Sequence, residues 1–149
     1  MKKNKVFLGG TCNGSQWREI LIPKLKIDYF NPVVEDWNEE AQRNEEREKD
    51  KKCNIKLYVI TPKMTGVYSI AEVIDSCWKD RNRMKTYGDR IHFTVFCYLY
   101  CEPINENIIF SDSQRHSLDA VKTKVVALNG RTFSNLKDVA TYLNFYNEK

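Results

Sequence analysis

The sequence has no uninterrupted apolar run near the roughly 20 residues that a bilayer-spanning helix needs, so no membrane-crossing segment is expected. Histidine is scarce, and His92 and His116 stand alone. The five cysteines (Cys12, Cys53, Cys77, Cys97 and Cys101) are odd in number and contain no CxxC pair. Neither a zinc site nor a disulfide scaffold follows from that spacing, and the thiols read as reduced, small hydrophobes. The chain also lacks GxGxxG and the Walker lysine pattern, so neither a dinucleotide nor a triphosphate site is indicated. No cofactor and no metal are expected. The basic start, Met1 to Lys5, is followed by only Val6-Phe7-Leu8 before Gly9-Gly10. That is too short for the apolar core of a signal peptide, and a cytoplasmic protein is expected.

What is present reads as one globular domain over residues 1–149, with 42% hydrophobic and 30% charged residues and no repeat or linker. The net charge of +4 invites a polynucleotide-binding reading, but its distribution argues against one. Glu39 to Lys52, the densest charged stretch, holds six acidic and five basic residues alternating in sign. Such a run reads as a solvated helix face with i,i+4 pairs such as Glu39–Arg43. The basic surplus lies in the N-terminal tail and in Lys79 to Arg90. A small anionic ligand fits that distribution better than a polyanion does.

Along the chain, apolar runs alternate with helical periodicities. Strands are expected at Lys5 to Gly9, Tyr29 to Val34, Ile55 to Ile60 and Phe93 to Tyr100, with a short edge strand at Arg131 to Phe133. Helices are expected after Ser15 (bent or shortened by Pro23), from Asn38, from Thr65-Gly66, over Ser113 to Asn129, and after Ser134. Gly130 reads as the stop of the fourth helix, and Trp17 and Trp78 as core. Alternation at this spacing implies βαβ units: a doubly wound α/β fold, a mainly parallel sheet of about five strands with helices on both faces, flavodoxin-like or Rossmann-like.

Ligands of such sheets bind beyond the carboxyl ends of the strands. Three segments fall there. Gly9-Gly10-Thr11-Cys12-Asn13-Gly14 suits close backbone approach to a phosphate or sugar, or is simply a tight turn needing positive φ. Glu35-Asp36-Trp37 offers a general acid or hydrogen-bond acceptor in Asp36 and a stacking indole in Trp37, or forms a polar turn. In Pro62 to Ser69 and the helix that follows, Glu72 stands out between Ala71 and Val73, sharing a face with Ser69. A carboxylate among apolar groups is costly unless paired or used, although Glu72 could also share a solvent stripe with Asp75. Tyr68, at the mouth of that helix, is left open.

At these segments the chain resembles the nucleoside 2-deoxyribosyltransferase-like family. VFLGGTCNGSQWRE (Val6 to Glu19), YFNPVVEDWNEEAQ (Tyr29 to Gln42), LYVITPKMTGVYSIAEV (Leu57 to Val73) and the closing NGRTFSNLKDVATYLN (Asn129 to Asn144) carry the resemblance. It implies cleavage of the N-glycosidic bond of a (deoxy)nucleoside or its monophosphate, with Glu72 as nucleophile and Asp36 holding or protonating the base. Gly9, Gly10 and Thr11 would line the sugar, with Asn13 beside them and Trp37 against the base. Thr65, Gly66 and Ser69 would take the 5′ hydroxyl or phosphate. Oxocarbenium-like chemistry suits a carboxylate nucleophile. The alternative on the same fold is a nucleotide-binding or sensing module without turnover. The resemblance further implies a homodimer or larger homo-oligomer, with Asn107 to Gln114 offered to a neighbour's site. Phe7 stands where relatives often have a tyrosine, and Asn54 where many have an aspartate; both are expected near the site.

Overall fold

The structure, a computed structural model, describes residues 2–34, 38–83 and 89–147. Five strands, β1 (Lys5–Gly10), β2 (Asp28–Phe30), β3 (Ile55–Ile60), β4 (Phe93–Tyr98) and β5 (Arg131–Phe133), form a single sheet in the order β2-β1-β3-β4-β5. Every pairing is parallel, with Val6 opposite Tyr29 and Ile55, Leu57 opposite Val95, and Cys97 opposite Phe133. The helices are α1 (Trp17–Leu21), α2 (Glu39–Arg47), α3 (Tyr68–Asn82), α4 (Asp112–Ala127) and α5 (Leu136–Asn144). This is the doubly wound α/β arrangement with flavodoxin-like strand order.

Strand pleating explains how one sheet builds two cores. Successive side chains leave opposite faces, so Val6, Leu8, Leu57, Val59, Val95 and Cys97 pack with Trp17 and Leu21 of α1 and Val139 and Leu143 of α5. Phe7, Tyr58, Ile60, Phe96 and Tyr98 turn the other way, onto Val73 and Cys77 of α3 and Leu118 and Val125 of α4. Lys56 belongs to that second face and is only 5% exposed, its ammonium paired with Asp80 of α3. Thr94 also donates to Asp80 (2.6 Å), which distributes the carboxylate's charge over two partners.

Several boundaries differ from the sequence expectation, each for a local reason. α1 begins at Trp17 without a side-chain cap, because the Ser15 hydroxyl donates instead to Glu102 Oε1 at 2.6 Å. Pro23 converts the continuation of α1 into a single 3₁₀ turn, Ile22–Lys24. β2 stops at Phe30, before the polar Asn31 and Pro32. Asn38 does cap α2, accepting from Ala41 N at 2.8 Å, and Arg43 pairs with Glu39 at 3.8 Å. The stretch after α2 widens into a π turn over Glu48–Lys52. Ser111, with Gln114 in a capping box, starts α4, and Asn135 rather than Ser134 caps α5.

Asn129, with φ +68, takes the left-handed turn at the end of α4, while Gly130 is needed because a Cβ there would meet Val125 Cγ1 at 2.5 Å. Trp78, expected in the core, is 49% exposed, with the Arg81 guanidinium over its ring. Trp17 is fully buried, as read. No described helix is long and apolar enough to cross a membrane.

Candidate active site

The strand order reverses between β1 and β3. The helix after β1 covers one face and the helix after β3 the other, which opens a crevice at their carboxyl ends. A cleft of about 390 Å³ lies there, within the range of small-molecule sites. Phe7, Gly9 and Gly10 form its floor, and Pro32, Val33 and Val34, just past β2, form one wall. Cys12 and Arg18, Gln42, Glu45 and Glu46 of α2, and Tyr68, Ser69 and Glu72 of α3 complete it. Val33, Val34 and Tyr68 are 50%, 47% and 70% exposed, so the rim carries apolar and aromatic surface that a flat ligand could cover.

The glycine floor is a steric requirement. A Cβ on Gly9 would lie 2.8 Å from the Tyr58 ring, and one on Gly10 would lie 2.0 Å from the Val59 carbonyl oxygen. Gly10 also has φ +121, a conformation side chains rarely adopt.

Glu72, in the second turn of α3, is the centre of the charge arrangement. Lys49, in the π turn, donates to Glu72 Oε2 at 3.0 Å, and both side chains are largely buried. The same ammonium sits 5.6 Å above the Phe7 ring. Burial opposes the charge on Lys49, but the hydrogen bond and charge of Glu72 prevail and hold the ammonium above its ordinary range. Glu45, half-buried in the same cleft, is also displaced. Burial first, and then repulsion from Glu72, raise its carboxyl above the usual range. Below the cleft, the Tyr58 hydroxyl is buried with no hydrogen-bond partner among the described residues. It borders a small cavity of about 20 Å³ together with Glu72, Lys49 and Lys56.

A buried arginine supports the glycine-rich loop. Arg18 is 4% exposed and donates through Nε and a terminal nitrogen to the Leu8 carbonyl (3.1 and 2.9 Å) and through the other to the Thr11 carbonyl (2.9 Å). Its guanidinium stacks 4.3 Å from the Trp17 ring centre, and burial lowers its pKa. On the far side of the loop, the buried Glu102 accepts from Ser15 Oγ and from Gln16 N (3.2 Å).

Of the sequence-predicted residues, Gly9, Gly10, Ser69 and Glu72 line the cleft. Thr11, Asn13, Thr65 and Gly66 line an adjoining depression of about 300 Å³ that shares Gly10 and Ser69 with it. Asn13 holds that depression's rim by donating to Thr65 Oγ1 at 2.7 Å. The Thr11 hydroxyl is engaged elsewhere, accepting from Thr61 N at 3.0 Å. α3 opens onto both spaces with no side-chain cap and no acidic residue in its first turn, so its positive end is available to an anion. Asp36 and Trp37 lie outside the described residues.

Phe7 is at the site, whereas Asn54 is not. Asn54 lies just before β3, at the opposite end of the sheet, where its side chain binds Lys5 N, Asn4 Oδ1 and the Ile91 carbonyl, each at 2.8 Å. Sequence reasoning missed Arg18, Glu45 and Lys49. The last two sit in the charged run, whose alternation conceals that one face of it covers the cleft.

A parallel α/β sheet with a carboxylate-bearing cleft at its switch point defines the class. The family described as nucleoside 2-deoxyribosyltransferase like matches residues 3–82, which contain every residue lining the cleft. That is more than half of the chain, and the protein belongs to this family. No curated protein and no solved structure matches it. The family relation supports a role related to glycosyl transfer.

Proposed function

We propose that the protein cleaves the N-glycosidic bond of a nucleoside or nucleoside 5′-monophosphate and passes the sugar to another base or to water. The observation that carries this reading is Glu72, a largely buried carboxylate on the cleft wall with the Lys49 ammonium as counter-charge. Attack by its oxygen on the anomeric carbon forms a sugar ester while the bond to the base breaks and its electron pair leaves with the base. Transfer and hydrolysis then differ only in which acceptor reopens the ester. Gly9 and Gly10 let the sugar approach the backbone, and Thr11 shapes the loop beside it. Asn13, Thr65, Gly66 and Ser69 surround the positive end of α3, which suits a 5′ hydroxyl or phosphate. Asp36 and Trp37 are assigned to the base on sequence grounds alone. Small nucleosides or nucleotides, rather than polynucleotides or membranes, are the proposed partners, in a cytoplasmic homodimer or larger assembly that light scattering would detect.

The test is incubation with a panel of deoxynucleosides, nucleosides and their monophosphates, with and without free bases, read by chromatography. Base release or exchange is expected, and Glu72→Ala should lower it by a factor on the order of 10³ or more. Absence of turnover by the wild-type protein, or full activity in Glu72→Ala, refutes the reading. Tight nucleotide binding without turnover would assign the non-catalytic module instead.

A further inference from the structure

We propose that Glu45 is the acid and base of this site: it gives a proton to the departing nucleobase and takes one back from the acceptor water. The proposal rests on the glycosidic-bond cleavage by Glu72 set out above. Its starting point is that, beside the exposed Glu46, two half-buried carboxylates from different helices, Glu45 of α2 and Glu72 of α3, line one cleft and differ in what faces them. Glu72 is bonded to Lys49. Glu45 stands one helical turn before Lys49 and, among the described residues, has neither an ion pair nor a hydrogen bond to its carboxylate. The charged groups acting on it are Glu72 from α3, Lys49 and Glu46 from its own helical stretch, and Arg18 from α1, whose guanidinium is occupied by backbone carbonyls. The wall of Pro32, Val33 and Val34 adds apolar surface to the same cleft. One ammonium thus faces the two half-buried carboxylates, and Lys49 is committed to Glu72.

Such a pair separates into two roles. The carboxylate with the counter-charge stays ionised and attacks carbon, while the half-buried one facing a like charge retains a proton longer and donates it. The raised affinity of Glu45 for its proton has the sign this role requires. In the first step a Glu72 oxygen bonds to the anomeric carbon, the carbon–nitrogen bond breaks, and its electron pair takes the Glu45 proton, leaving neutral base and Glu45 carboxylate. In the second step Glu45 removes a proton from water as its oxygen attacks the same carbon. Glu72 departs as a carboxylate and Glu45 is protonated again.

The experiment compares two leaving groups on the same sugar: the nucleobase of a substrate that the wild-type protein cleaves, and fluoride, which departs without a proton. In Glu45→Gln, with folding checked by circular dichroism, base release should fall by about 10² to 10⁴. The single-turnover fluoride burst should stay within a few-fold of wild type. The alkaline fall of the wild-type pH profile for base release, set by loss of the Glu45 proton, should be absent in the variant. Glu72→Ala should lose both reactions. Unchanged base release in Glu45→Gln, or equal loss of base release and fluoride burst, overturns the role. So does a leaving-group-dependent loss found in Asp36→Asn but not in Glu45→Gln. If the wild-type protein releases neither base nor fluoride, the glycosidic reading of Glu72 itself fails, a result distinct from each of these.

Discussion

Replacing Gly10 by alanine tests whether the cleft floor is set by backbone sterics. The new Cβ would lie 2.0 Å from the Val59 carbonyl oxygen and 2.7 Å from the Val59 nitrogen, and neither atom belongs to a flexible side chain. Relief requires β1 to withdraw from β3 where Gly10 faces Val59, and the Thr11 N–H to Val59 carbonyl bond (2.9 Å) is lost with that movement. Forcing a side chain to φ +121 costs about 1–3 kcal/mol. A carbonyl left unpaired on fully buried Val59 costs roughly another 1–3 kcal/mol. The sum, about 2–6 kcal/mol, is a large share of the stability of an ordinary domain. In a chain of this size it corresponds to a fall in melting temperature of roughly 5–20 °C. Urea unfolding followed by circular dichroism measures the difference. Gly66→Ala is the control, because a Cβ there meets nothing within 4 Å. Its stability should be unchanged or higher by up to about 1 kcal/mol. A Gly10→Ala variant within about 1 kcal/mol of wild type would refute the steric account of the floor.

Thiol chemistry should separate the five cysteines by burial. Burial raises the thiols of Cys53 and Cys97 to about 12 and that of Cys77 to about 11, whereas Cys12 is exposed and Cys101 half-buried. In the native protein a thiol reagent at pH 8 should modify Cys12 first and Cys101 more slowly, with the other three reacting only in denaturant; five equally fast thiols would contradict this packing. His92 is held below its ordinary pKa, by burial first and then by the nearby Arg83 and Lys56 charges. Below about pH 6.5 the unfolded chain therefore binds a proton that the folded chain resists, and stability falls as pH drops through that value. His92→Gln should remove that component, so the wild-type and variant urea midpoints should diverge between pH 7.5 and 5.5; a constant difference would refute it.

The fold was legible because its signals are local. The run Ile55 to Ile60, rich in β-branched and aromatic residues, announces a buried strand, Asn38 announces the start of α2, and the alternation of the two patterns admits few topologies. Glu72 was legible for a related reason, as a carboxylate within an apolar helical stretch above a helix mouth. Capping was less so, since Ser15 offers a cap but its hydroxyl goes to Glu102, 87 residues away in sequence. The charged run gave the opposite of its local signal where it meets the sheet. Sign alternation describes a solvated helix, and Glu39 to Arg43 behave as one. Yet Glu45 and Lys49 fall on the turns that the chain lays over β1, where Lys49 meets Phe7 and Glu72.

Sequence by itself determined the period-two and helical patterns, and through them a parallel α/β sheet with its ligand end at the β1 and β3 loops. The glycine pair at that end was visible in the sequence, but the lack of room for a Cβ beneath Tyr58 and against Val59 is a tertiary fact. Tertiary structure alone decided which charges meet in the cleft. Whether a carboxylate is paired, desolvated or repelled depends on groups brought within a few ångströms from distant parts of the chain, and no residue's own neighbourhood in sequence contains that information. Asn54 therefore proved to be a tie between strand ends, while Glu45 became a half-buried carboxylate of the cleft beside Glu72.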